Sequence, residues 1–266
     1  MNRKTNWLNA LLGGIYTGWC LIVFIVPIPL VVLGHLVLKL LDERTRLLKI
    51  YRIHRLWIAF LEFFTGLSFE VRGRDRIDPD QTYVFVCNHV NMLDIPIVGS
   101  TIFHPWKSLA KVEILRVPVV GWIIQNIAIG VDRKNQQSRK TSLLEMMRNL
   151  ESGISIMIFP EGTRNRTDQP LKRFHPGAFS LAIRAQVPIM PLVILDSRPL
   201  QAANRMELYP GIARFTMLPP ISTEGLTEDD VKDLAQRVHD QMEAYIRAHD
   251  AHFAHSTIES HRPVEA

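Results

Sequence analysis

A histidine and an aspartate stand five residues apart in Asn88-His89-Val90-Asn91-Met92-Leu93-Asp94, directly after a β-rich run at residues 82–87. An imidazole paired with a carboxylate is general-base chemistry. The acid fixes the tautomer and stabilises the imidazolium, leaving Nε2 to take a proton. Within one continuous helix a separation of five sets side chains about 140° apart. The pair can therefore meet only if His89 lies in a strand-to-helix turn and Asp94 in the first turns of the helix. Serine hydrolases use the same pairing, but no Gly-x-Ser-x-Gly elbow occurs in this chain. The nucleophile is then expected from the substrate. Cys87 offers a rival thiol nucleophile, although a strand cysteine is more often a small buried hydrophobe. Taken alone, a histidine–aspartate pair like this is more often a structural hydrogen bond.

A second cluster raises the chemical interest. The apolar run at residues 154–159 leads straight into Pro160-Glu161-Gly162-Thr163-Arg164-Asn165-Arg166. A glycine beside an acid, a hydroxyl and two arginines, at the C-terminal end of a strand, suits a phosphate, and that edge is where α/β sheets bind ligands. The alternative is a charged surface turn. Arg133, after Gly130-Val131-Asp132, and Lys111, in Ala110-Lys111-Val112-Glu113, are further candidates for the same anion, or are simply solvated.

These residues need a sheet to hold them. The β-rich runs predicted at residues 69–72, 82–87, 127–131, 154–159, 189–195 and 213–217 alternate with helices predicted at 94–103, 138–152, 178–186 and 227–248. Strands alternating with helices predict an α/β domain with a mixed, largely parallel sheet flanked by helices. The last helix carries Val231, Leu234, Val238, Met242 and Tyr245 on one stripe, with Glu228, Asp229 and Asp230 in its first turn. His249, His252 and His255 follow it; a metal site needs more convergent ligands, so a solvated tail is expected there.

Residues 5–41 carry a single formal charge, Lys39, and are mostly apolar. As one straight helix they would extend about 55 Å, against a hydrocarbon core of about 30 Å. Pro27 and Pro29 should interrupt the helix near its middle. Either one helix crosses and the rest lies at the interface, or two half-length helices form a re-entrant hairpin. Arg3 and Lys4 before the run, and Arg44, Arg46, Lys49, Arg52 and Arg55 after it, place both flanks on the cytoplasmic side. The segment at 45–65 then reads either as a basic amphipathic helix on anionic lipid or as a connecting helix packed on the domain. The division expected is 1–67 for membrane-anchoring helices, 68–250 for the α/β domain and 251–266 for a flexible tail. In the 266-residue chain 47% of residues are hydrophobic and 21% charged, ordinary globular usage. A net charge of +5 fits an anionic partner; without a nucleic-acid motif, and with basic residues gathered beside the apolar run, that partner is not expected to be nucleic acid. Two cysteines make neither a disulfide framework nor a zinc site.

Taken together, these motifs resemble the phospholipid/glycerol acyltransferase family, and in particular its 1-acyl-sn-glycerol-3-phosphate acyltransferases. Asn88, His89 and Asp94 match its first motif, Gly130 and Arg133 more loosely its second, residues 159–164 (Phe-Pro-Glu-Gly-Thr-Arg) its third, and Val187, Pro188 and Pro191 its fourth. Order and spacing agree from about residue 68 to 220. The resemblance implies that His89 is the general base oriented by Asp94. It also implies that Arg133, Glu161, Gly162, Thr163 and Arg164 bind the acceptor's phosphate or glycerol, and that Pro188 and Pro191 shape a pocket. The reaction implied is acylation of a lysophospholipid at the sn-2 hydroxyl of 1-acyl-sn-glycerol-3-phosphate. The co-substrate would be acyl-CoA or acyl-acyl carrier protein, with no metal or redox cofactor. The expected setting is the lipid of the cell inner membrane, with the catalytic domain on the cytoplasmic side. Another lysolipid, such as lyso-ornithine lipid, is the alternative acceptor; a non-catalytic lipid-binding protein is the alternative class. Asn91 stands where the family often has serine. Neither assigned role uses it, so little consequence is expected.

Overall fold

The computed structural model describes residues 7–132, 134–201 and 207–254. The apolar N-terminal run forms two helices, α1 (Trp7–Ile25) and α2 (Ile28–Leu38). Pro27 separates them, and Pro29 falls at the start of α2, where its missing N–H costs nothing. Residues Leu11–Leu38 form one stretch long and apolar enough to cross a membrane. The third helix, α3 (Glu43–Thr65), starts where the Asp42 carboxylate accepts the Thr45 N–H at 2.9 Å. It ends at Gly66, whose φ of 69° is the left-handed cap that glycine adopts without cost. Both apolar helices pack on α3. Tyr16 and Trp19 of α1 donate to the Thr65 and Phe64 carbonyls at 2.6 and 2.8 Å. From α2, His35 meets His54 at 3.1 Å. Outward-facing Leu12, Ile15, Ile22, Leu30, Leu33 and Val37 remain exposed.

Seven strands follow: β1 (Leu67–Arg72), β2 (Val84–Cys87), β3 (Trp106–Lys111), β4 (Ala128–Val131), β5 (Ser155–Ile158), β6 (Ile189–Leu195) and β7 (Gly211–Met217). They form one sheet in the order β1-β7-β6-β2-β5-β3-β4. The five strands from β6 to β4 are mutually parallel, while β7 runs antiparallel to β6 and β1 runs with β7. The remaining helices are α4 (Asp94–Thr101), α5 (Val120–Gln125), α6 (Gln136–Glu151), α7 (Gly177–Ala185) and α8 (Val231–His249). This is the mixed, largely parallel α/β sheet that the sequence predicts. Two elements differ from that reading: β3 and α5 occupy a stretch in which no element is predicted.

Alternation along the strands divides the core in two. Phe85 and Cys87 of β2 face the layer containing Leu47, Tyr51 and Ile58 of α3, with Ile97 and Val98 of α4. Val84 and Val86 face α6, α7 and α8. The buried stripe of α8 runs Val231, Leu234, Val238, Met242 and Ile246; Tyr245 is only partly buried, lying beside that stripe. Residues 251–254 extend the chain as a further helical turn with Phe253 buried, so the start of the expected tail belongs to the packed domain. His255 and the remainder to residue 266 lie outside the described residues.

Candidate active site

Four parallel strands end on one edge, and the chemistry-bearing residues lie at or just past those ends: His89 after β2, Glu161 to Arg164 after β5, Lys111 at the end of β3, and Gly130 to Asp132 at the end of β4. Arg133 itself lies outside the described residues. This is the edge at which loops of a parallel sheet converge on a ligand.

His89 sits in the six-residue connection between β2 and α4, and Asp94 is the first residue of α4. His89 Nδ1 lies 2.8 Å from Asp94 Oδ2. The same oxygen accepts the Val90 and Asn91 N–H groups at 2.5 and 2.9 Å. Three donors thus converge on one oxygen of a fully buried side chain in the first turn of a helix. With that oxygen as acceptor the proton sits on Nδ1, leaving Nε2 as the basic nitrogen. Nε2 makes no hydrogen bond among the described residues, and the ring is 17% exposed, with one face stacked on Phe159 at 4.3 Å between centroids.

The loop after β5 divides into a brace and an open half. Glu161 is buried, and its two oxygens accept the His89 and Lys172 N–H groups, each at 2.9 Å. Burial pushes its carboxyl above the usual carboxylate range, while those two amides and the nearby His89 and Lys172 pull it back. The two Glu161 oxygens thus tie the turn that carries His89 to the loop. Gly162 adopts φ 73°, a left-handed conformation that turns the chain outward. Thr163 is exposed and accepts from Lys172 Nζ at 2.6 Å. Arg164 is half-buried and has no side-chain partner among the described residues, as an anion site requires. The chain then returns to the turn, where the Asn165 N–H donates to the His89 carbonyl at 2.6 Å.

Lys111 is exposed, with its ammonium 3.1 Å from the Glu113 carboxylate. Pro191 is a buried strand residue opposite Val86, at the point where β6 leaves β7, and the Pro188 carbonyl accepts the Val84 N–H at 3.0 Å. Asn91 is not idle: its Nδ2 donates to the Ser197 carbonyl at 2.7 Å and its Oδ1 accepts the Leu93 N–H at 2.9 Å. Asn88 exchanges two hydrogen bonds with the Ile194 backbone, at 2.9 and 2.8 Å. Cys87 is fully buried, and burial together with the Asp94 and Glu161 charges holds its thiol well above the ordinary range, which suits a core residue and not a nucleophile.

Among the described residues the site thus brings together a histidine–aspartate pair and an arginine without a side-chain partner, an arrangement suited to group transfer onto a substrate's own hydroxyl. A family model described as Acyltransferase matches residues 68–195. The 1-acyl-sn-glycerol-3-phosphate acyltransferase alpha of Homo sapiens is 32% identical over 231 residues, which covers 85% of this chain and 77% of the human one. The 1-acyl-sn-glycerol-3-phosphate acyltransferase of Haemophilus influenzae is 32% identical over 206 residues, covering 74% of this chain and 82% of that protein. The crystal structure of the 1-acyl-sn-glycerophosphate (LPA) acyltransferase PlsC of Thermotoga maritima shares the fold, with a TM-score of 0.75 at 20% identity over 91% of this chain and 98% of that one. The chain belongs to the acyltransferase family, within the group whose matched members are 1-acyl-sn-glycerol-3-phosphate acyltransferases.

Proposed function

We propose that this enzyme acylates the sn-2 hydroxyl of 1-acyl-sn-glycerol-3-phosphate, giving phosphatidic acid for phospholipid synthesis. The observation that carries the reading is the 2.8 Å His89–Asp94 pair with Nε2 unengaged. In the reaction, Nε2 takes the acceptor's hydroxyl proton as its oxygen attacks the thioester carbonyl carbon. Collapse breaks the C–S bond, and the imidazolium returns the proton to the departing thiolate. Acyl-CoA or acyl-acyl carrier protein supplies the acyl group, and no metal or redox cofactor enters the scheme. Arg164, with the Gly162–Thr163 turn beside it, holds the acceptor's phosphate, and Arg133 is assigned the same task. The exposed apolar faces of α1 and α2 keep the site at the lipid, so that an amphiphilic acceptor need not be extracted into water. The inner membrane, with the catalytic domain on its cytoplasmic side, is the setting this implies.

The test is a panel of lysolipids assayed with purified protein and both donor types. Lysophosphatidate should be the preferred acceptor. Arg164→Ala should raise its KM about 10- to 100-fold, the value of a charge-assisted contact, and leave kcat near the wild-type value. Rejection of lysophosphatidate, with acylation of lyso-ornithine lipid instead, would remove this reading.

A further inference from the structure

The turn that carries His89 has an unusual set of acceptors. The five successive amides from His89 to Leu93 all donate to side chains: His89 to Glu161, Val90 and Asn91 to Asp94, Met92 to Gln201, and Leu93 to Asn91. Sheet and helix ladders hold most buried segments through backbone acceptors. Here side chains set the shape. Two of them are supplied from distant elements: Glu161 from the loop after β5, and Gln201, whose buried Oε1 accepts the Met92 N–H at 2.8 Å.

Gln201 in turn belongs to a segment fastened to the apolar N-terminal helices. It forms an antiparallel bridge with Leu208, and the Tyr209 N–H donates to the Leu200 carbonyl at 2.8 Å. The Leu208 N–H donates to Thr17 Oγ1 of α1 at 2.9 Å, and the Tyr209 ring rests over Gly13. A second tie from the same segment reaches the turn where Asn91 Nδ2 meets the Ser197 carbonyl at 2.7 Å. One continuous set of hydrogen bonds therefore joins α1 to the peptide two residues before Asp94.

We propose that Gln201 is a positioning residue for the general base, and that through it the seating of α1 sets the His89–Asp94 geometry. This rests on reading His89 as the base. Without an acceptor at Gln201, the part-buried Met92 N–H loses its partner. The turn then rotates toward another partner, and a displacement near 1 Å at a catalytic group can cost about 10²-fold in rate.

The experiment uses the full chain in vesicles of anionic phospholipid. Gln201→Met keeps the shape and removes the acceptor; Gln201→Glu retains an acceptor oxygen. Gln201→Met is expected to lower kcat about tenfold with both KM values within about twofold of wild type, and Gln201→Glu to recover to within about threefold. Thr17→Val, at the far end of the connection, should lower kcat about threefold at unchanged vesicle binding. Wild-type kcat in Gln201→Met, a loss confined to KM, or a Gln201→Glu protein as impaired as Gln201→Met would each overturn the proposal. If Gln201→Met fails to fold, Thr17→Val decides, and an unchanged kcat there overturns it. His89→Ala assayed alongside separates the two claims. Full turnover in that protein removes the base reading, whereas an inactive His89→Ala with a fully active Gln201→Met overturns the positioning role alone.

Discussion

Replacing His89 with alanine is expected to lower kcat for acyl transfer by about 10²–10⁴-fold, the usual contribution of a positioned general base. The fold should survive. The ring is only partly buried, its largest contact is the face of Phe159, and the turn's backbone ties to Glu161 and Asn165 do not involve the imidazole. Substrate KM values should change little, because the acceptor's charge is held by other groups. Steady-state kinetics with a thermal melt as control checks this. A folded His89→Ala protein with wild-type kcat would leave the 2.8 Å contact as a structural hydrogen bond only.

Asp94→Asn is expected to lower kcat by about 10- to 100-fold, for a reason particular to this turn. In a serine-protease arrangement the same exchange inverts the histidine tautomer. Here the Val90 and Asn91 amides point at the oxygen that also accepts from His89. Those two donors hold the asparagine oxygen in that place, since the reversed amide would set NH₂ against N–H. The tautomer is therefore kept, and the change removes mainly the negative charge that stabilises the imidazolium, worth roughly the difference between a charged and a neutral hydrogen bond, about 1.5–3 kcal/mol against about 1. The loss should appear in kcat for either donor. A fall of about 10⁴-fold would instead mean that the amide has reversed.

The parts of the site legible in the sequence are those written locally. The turn from Asn88 to Asp94 and the loop from Phe159 to Arg164 each announce their chemistry by residue type and by position at a strand's end. The helix break at Pro27 and the stripe of α8 are read from the same kind of short-range rule. What stays hidden depends on distant partners. Glu161 looks like a ligand for substrate because nothing nearby shows that its oxygens will meet amides 72 residues back and 11 residues on. Asn91 and Gln201 are silent for the same reason: their contacts reach across 106 and 109 residues. A side chain's burial at such a crossing is a tertiary fact, and one sequence carries no local trace of it. The strand β3 escapes for another reason. In Trp106-Lys107-Ser108-Leu109-Ala110-Lys111 a lysine and a serine break any apolar alternation, and the strand is held by pairing with β4 and β5. Short α5 follows a proline-containing stretch that reads as loop.

In the proposed reaction His89 activates the acceptor's hydroxyl and no enzyme group is acylated on the way. Buried Cys87, its thiol held in the protonated form, cannot take that part. Thiol release from a labelled acyl thioester, followed on the millisecond scale with and without lysophosphatidate, tests this most directly. No release beyond background hydrolysis is expected until the acceptor is added, and then one thiol per phosphatidic acid formed with no label on the protein. A rapid, acceptor-independent burst of one equivalent of thiol, with the acyl label retained on the chain, would contradict it.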